Sequence, residues 1–337
     1  MNKIQLRFSS LLLIALGVWG TSSAFSQSLT GKVTANGSST VGPITMAAAE
    51  LFQTTHPKVN VTVGISGTGG GFKKFLDEKE DLRIDICDAS RAISPSEIER
   101  AKQLGVEYME IPVAIDGMAV LVHSGNTFCN DLSVAELKRI WEPGSTVSNW
   151  KDVRAGFPDL PLKLYGPGTD SGTFDYFTQA IVGKEKASRS DYTASENDNV
   201  LVQGVSGDKG SLGYFGYSYY EVNKGKLKLL AIDAGDAKAI KPSKETIYSG
   251  QYMPLARPLF IYVNKKSFGR PEVKAFVEFY VDQAAKIAEM PSVRYTALPA
   301  EVGTAIKKRV ADGKTGTMFG DSTKIKPKSL LEIYRGG

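Results

Sequence analysis

Three short stretches of this chain place hydroxyl side chains and glycines immediately ahead of a helical pattern: NGSSTVGP (36–43), GISGTGGGF (64–72) and YGPGTDSGTF (165–174). Each would offer free backbone N–H groups, Ser or Thr hydroxyls and the positive end of a helix dipole, a combination suited to an anion. Each residue also has a purely structural reading, because Ser and Thr cap helices and glycine relieves tight turns. A fourth stretch, IDICDASRAISP (84–95), sets Arg91 after a strand-like run and before a capped helix. There a guanidinium could give an oxyanion a fixed charge and a two-pronged donor, or could pair with Asp85, Asp88 or a remote acid. None of the loops has the GxxxxGK[ST] spacing of a nucleotide P-loop, and GTGGGF lacks the dinucleotide fingerprint. The ligand these loops point to is small and oxyanionic.

Positioning such loops needs strands that end where helices begin, and the chain alternates the two. Short β-branched runs alternate with amphipathic stretches, which predicts an α/β fold with mainly parallel sheets. Capping-box spacings at Ser94 with Glu97 and at Ser133 with Glu136 mark helix starts. Further helices are predicted over 171–182, 271–290 and 299–312, the last closed by Gly313. Two long β-rich runs, IPVAIDGMAVLVH (111–123) and PLARPLFIYVN (254–264), read as crossovers between domains. They predict two lobes joined by a two-strand hinge, lobe I built from 29–113 plus 258–337 and lobe II from 114–257. The ligand cleft would lie between them.

Composition narrows the chemistry. A chain of 337 residues is long enough for about two domains. Its formal charge of +5 comes from 41 basic and 36 acidic residues scattered without a stripe, so nucleic acid is not an expected partner. The two histidines, His56 and His123, and two cysteines, Cys87 and Cys129, have no zinc-site spacing, and no metal or other cofactor is implied. Lys3 and Arg7 precede an apolar run over 11–19 and small residues over 21–24, the pattern of a secretory signal peptide over 1–26. Its removal takes two basic residues and no acidic one, lowering the formal charge from +5 to +3. In the oxidising compartment this implies, Cys87 and Cys129 could form a disulfide or be two small buried side chains.

Taken in order, GSSTVGP, ISGTGGGF, DASRAIS, GPGTDSGTF and the Gly-rich SGDKGSLGYFGYSYY (206–220) resemble the loops of the periplasmic phosphate-binding protein PstS family, the solute-binding component of a phosphate ABC transporter. The resemblance spans nearly the whole mature chain. It implies a type II-like periplasmic-binding-protein fold, a monomer, and one phosphate held in the cleft by hydrogen bonds without metal. It also implies membrane permease subunits as partners. Carried over position by position, the first loop supplies Ser39 and Thr40, the second Thr68 with Ser66 as a nearby alternative, and the third Ser171, Gly172 and Thr173. The better-known branch has Asp where this chain has Arg91, and Arg where it has Pro167. A carboxylate acceptor is what lets such a site prefer hydrogen phosphate to fully ionised sulfate, because an acceptor facing an acceptor is costly in a dry cleft. Asp170 is the leading replacement, with Asp116 and Asp198 as alternatives and helix capping or an Arg91 pair as its structural reading. Competing expectations are a receptor for sulfate, molybdate or a phosphorylated solute, and a secreted phosphatase. The last lacks a motif joining either histidine to Ser39 or Ser171.

Overall fold

The computed structural model describes residues 29–319, apart from 170, 196, 236 and 237, together with residue 333. The expected signal peptide and Asp170 therefore lie outside the described residues. Among the described residues eleven strands follow in chain order: β1 (Gly31–Gly37), β2 (Val59–Ile65), β3 (Ile86–Ala89), β4 (Tyr108–His123), β5 (Asp131–Ser133), β6 (Lys163–Gly166), β7 (Thr193–Ala194), β8 (Ser211–Gly216), β9 (Leu227–Leu229), β10 (Ala231–Asp233) and β11 (Ala256–Asn264).

Nine of them form one mixed sheet, ordered β2-β1-β3-β11-β4-β8-β6-β7 with β9 on β4, while β5 and β10 pair separately. The pairs β1–β2, β1–β3, β6–β7 and β6–β8 are parallel, as the helix-alternating sequence predicts. Every antiparallel pairing between two of these strands involves β4 or β11. These are the two predicted crossover runs, so the sheet is mixed rather than mainly parallel where the halves meet. β4 is long because it serves both halves, pairing with β11 over its first half and with β8 and β9 over its second, while β11 lies between β3 and β4. The β4–β11 register slips between Leu259 and Phe260, whose partners are Ala114 and Pro112. Pro112 has no N–H to give the ladder, so a bulge is accommodated at that point.

The two halves bury separate aromatic clusters. In the first, the helix Gly42–Thr55 turns Ile44, Ala48 and Phe52 inward, and Phe52 meets Phe276 of the helix Pro271–Ala288 edge-on at 5.4 Å. In the second, Phe177 stacks on Tyr214 at 3.6 Å and Trp141 meets Tyr214 edge-on. Each such ring contributes roughly 1.5–3 kcal/mol on burial. Both predicted capping boxes are formed, Ser94 with Glu97 and Ser133 with Glu136. The last predicted helix runs Ala300–Ala311, followed by Gly313 at φ +62°. Cys87 and Cys129 are both free and buried, so they are the two small buried side chains and not a disulfide. Cys87 Sγ donates to the Asp88 carbonyl, and Cys129 Sγ to that of Asp131.

Candidate functional site

Each predicted anion loop leaves the end of a strand and enters a helix: β1 into Gly42–Thr55, β2 into Gly67–Phe75, and β6 into Gly172–Phe177. The first two lie side by side because β1 and β2 are parallel neighbours in strict register. Ser38 Oγ accepts from the backbone of Thr40 at 3.1 Å, while the Ser38 N–H donates to the Asp88 carbonyl. That ties the first loop to the end of β3. In the second loop Gly71 is indispensable for packing, since a Cβ there would lie 2.7 Å from the Gly37 Cα and 2.9 Å from Cys87 Sγ. Its absence lets the helix sit directly on β1 and β3.

A cavity of about 650 Å³ opens at these loop ends, lined on its polar side by Ser38, Ser39, Thr40, Thr68, Ser90 and Arg91. Thr68 Oγ1 lies 3.1 Å from Ser90 Oγ and accepts from the Ser90 N–H. Ser66 turns the other way and donates to Asn36 Oδ1, so of the two second-loop candidates Thr68 is the one on the cavity wall. The third loop meets the first directly: a Cβ on Gly172 would lie 1.8 Å from Thr40 Oγ1. Ser171 caps the helix Gly172–Phe177 by accepting from the Thr173 N–H at 3.2 Å. Ser171 and Thr173 thus stand beside the cavity, with Thr40 the link to it. Of the candidate acids, Asp198 is the first residue of the helix Asp198–Gly207 and is not among the residues lining the cavity.

Arg91 lines the cavity, yet its NH1 and NH2 donate to the two oxygens of Glu97 at 2.8 and 2.9 Å. Its partner is a remote acid, the second half of a capping box, while Asp85 pairs with Arg270 at 2.6 Å.

A second arginine was not anticipated from the sequence. Arg257, near the start of β11, lines the same cavity with its guanidinium 3.7 Å over the Tyr176 ring. Its NH2 group donates to Thr40 Oγ1 at 3.4 Å and to the Gly172 carbonyl at 3.3 Å. The strand register places it opposite Asp116 on β4. Arg257 Nε and Asp116 Oδ2 are 3.5 Å apart, close enough for an ion pair but without hydrogen-bond geometry, and both atoms are buried without a hydrogen-bond partner. Burial pushes the Asp116 carboxyl above the usual carboxylate range, with Arg257 pulling the other way. The other acid buried on β4, Glu110, is by contrast fully engaged, accepting from Tyr262, Thr317 and the Met318 N–H. The signal that could have exposed Arg257 is an isolated cation within an otherwise apolar strand, matched by an isolated acid in the other crossover.

Asp175, also on the cavity wall, is pushed up to about 6, chiefly by burial. Among the described residues no group of His, Cys, Asp and Glu is arranged to hold a metal ion. None of their helices is long and apolar enough to cross a membrane.

The family model for the PBP superfamily domain matches residues 22–284. A SphX protein from Synechococcus elongatus is 48% identical over 295 residues, covering 87% of this chain and 85% of its own. The phosphate-binding protein PstS of Staphylococcus saprophyticus is 36% identical over 307 residues, covering 90% of this chain and 91% of its own. Among solved structures, a possible phosphate binding protein from Planctomyces limnophilus is 47% identical with a TM-score of 0.80, covering 85% of this chain and 99% of that one. The family model and these relatives are those of a two-lobed binding protein rather than an enzyme. Within the PBP superfamily, this chain belongs to the PstS family of phosphate-binding proteins.

Proposed function

We propose that this protein is exported, captures inorganic phosphate between its lobes and delivers it to the membrane permease subunits of a phosphate ABC transporter. The observation that carries this reading is the meeting of three hydroxyl-and-glycine loops from two halves of the sheet beside one cavity that also holds guanidinium groups. The lobes are 29–113 with 258–337 and 114–257, closing about β4 and β11 as a monomer. Ser39, Thr40, Thr68 and Thr173 supply hydroxyl and backbone donors, with Ser66, Ser171 and Gly172 shaping the loops that present them. Arg91 adds positive charge at the rim, and Asp170 reads the proton on hydrogen phosphate. Closure removes water and so strengthens each of these hydrogen bonds. Residues 1–26 direct export to the periplasm and are removed.

The size of the cavity favours one second reading, a phosphorylated solute. At about 650 Å³ it exceeds a single orthophosphate many times over, and its far wall carries Ile247, Met253, Pro254 and Phe260. Equilibrium dialysis of the mature protein against radiolabelled phosphate, with excess unlabelled sulfate or a phosphate monoester, separates the two. Retention of label in sulfate but not in unlabelled phosphate is expected. Displacement by the monoester at lower concentration than phosphate would transfer the function to the organic ligand. Uptake of labelled phosphate by native cells lacking the gene tests delivery, and unchanged uptake at low external phosphate would remove that role.

A further inference from the structure

We propose that Arg257 is the principal cation for the bound anion and Asp116 its positioning residue, so that charge reaches the cleft from the hinge strand itself. This rests on the oxyanion-binding reading above and names the residue that carries its charge.

The two cavity arginines differ in what they have left to give. Both terminal nitrogens of Arg91 are held by Glu97, and its side chain is 43% exposed. Its field is therefore largely offset by its partner and screened by water. The Arg257 side chain is 14% exposed. Its two hydrogen bonds are long and both come from NH2, while its buried Nε faces Asp116 Oδ2 at 3.5 Å, so NH1 and NH2 are the donors left for a ligand. Buried guanidinium donors are rarely left unsatisfied, because desolvating them without partners is costly. A cavity-facing guanidinium with spare donors marks the place where an acceptor arrives, and the planar fork fits an oxyanion with two parallel bonds.

Position adds to chemistry. Arg257 sits where β11 crosses between the halves, and one nitrogen touches both Thr40 of the first loop and the Gly172 carbonyl of the third. An anion bound there joins the two loops through a single side chain. Asp116 holds the guanidinium from behind: it is the register partner on β4, is 1% exposed and does not line the cavity. Tyr176 supports the flat face at 3.7 Å. With the head group fixed on two sides before the ligand arrives, little side-chain freedom remains to be lost on binding.

The test is phosphate calorimetry on the mature chain, with urea unfolding of each variant. The set is Arg257→Gln, Arg91→Gln, Asp116→Asn and the double variant Arg257→Gln/Asp116→Asn. Arg257→Gln is expected to weaken phosphate binding by about 30-fold or more, and by more than Arg91→Gln does. Asp116→Asn should weaken binding in the wild-type background and change nothing further in the Arg257→Gln background, because it acts through that guanidinium. If Arg257→Gln alone fails to fold, the double variant, which leaves no unpaired buried charge, supplies the affinity comparison. Binding within about threefold of wild type after loss of Arg257, or a larger loss from Arg91→Gln, overturns the assignment. Additive effects of Asp116→Asn overturn its positioning role. Wild-type protein that binds no phosphate, sulfate or molybdate sinks the oxyanion reading itself, a result distinct from tight wild-type binding that survives loss of Arg257.

Discussion

Gly172 and Thr40 come from loops far apart in the chain, yet no side chain fits between them: a Cβ on Gly172 would lie 1.8 Å from Thr40 Oγ1 and 2.8 Å from the Thr40 backbone nitrogen. The contact joins the third loop to the first, and the closeness of the two halves at the cleft depends on it. Replacing Gly172 by Ala must push the loops apart or displace the helix Gly172–Phe177. Overpacking of this kind costs about 1–3 kcal/mol. Phosphate affinity should therefore fall by roughly 5- to 100-fold. A second change, Thr40→Ser, should not restore it, since the backbone nitrogen stays in the way. Calorimetry on Gly172→Ala and on the pair checks this, and wild-type affinity in Gly172→Ala would show that the loops separate freely.

Tyr176 supports Arg257 with its ring and donates its hydroxyl to the Pro254 carbonyl. The two roles separate by substitution. Tyr176→Leu removes the aromatic face under a desolvated guanidinium and should weaken phosphate binding by about 3- to 30-fold. Tyr176→Phe keeps the face and should cost less than that. Equal losses in both variants, measured side by side by calorimetry, would assign the effect to the hydroxyl.

Glu97 serves two masters, closing the capping box at Ser94 and pairing with Arg91. Gln at this position can still accept from the Ser94 N–H but cannot neutralise the guanidinium. Glu97→Gln should reduce stability by no more than about 1 kcal/mol, because the pair is partly exposed. It should also raise phosphate affinity a few-fold at low salt, a gain that fades as ionic strength rises. Affinity that is unchanged at low salt would place Arg91 outside the anion's electrostatic reach.

Asp88 is fully buried under the first loop, where Thr45 Oγ1 donates to its Oδ1 at 2.8 Å and Oδ2 has no hydrogen-bond partner. Burial pushes this carboxyl from 3.8 up to about 7, with the Thr45 hydrogen bond opposing it. The folded state therefore holds the proton more tightly than the unfolded chain. The associated stability is fully present below about pH 4 and is lost as pH rises through about 7. Over that window wild-type stability should fall by up to a few kcal/mol, and Asp88→Asn should flatten the profile. Urea unfolding at several pH values between these limits provides the measurement. A wild-type profile that rises through the window with Asp88→Asn unchanged would contradict it.

Much of this architecture was legible because local signals carry it. The capping boxes at Ser94 and Ser133, the two long apolar crossovers and the loops around Thr40, Thr68 and Gly172 all announce themselves within a dozen residues. Arg257 did not, because its meaning depends on a strand register: only when β11 lies antiparallel to β4 does it face Asp116, one of the acids already weighed on other grounds. Arg91 was conspicuous beside a loop but could not show that Glu97, one helical turn into the next element, already holds it. Ser66 and Thr68 were indistinguishable by type and spacing. Their separation comes from Asn36 on the neighbouring strand, which captures Ser66, while Thr68 turns toward Ser90. The cysteines likewise needed three-dimensional placement, since two buried thiols and a disulfide fit the same composition.

The most direct test of the account is a crystal structure of the mature protein grown with phosphate, with anomalous data from arsenate to mark the anion. The anion is expected between the loops of Thr40, Thr68 and Thr173, accepting from their donors and from the Arg257 guanidinium. Density elsewhere on the surface, or a cleft that stays empty at saturating phosphate, would contradict it.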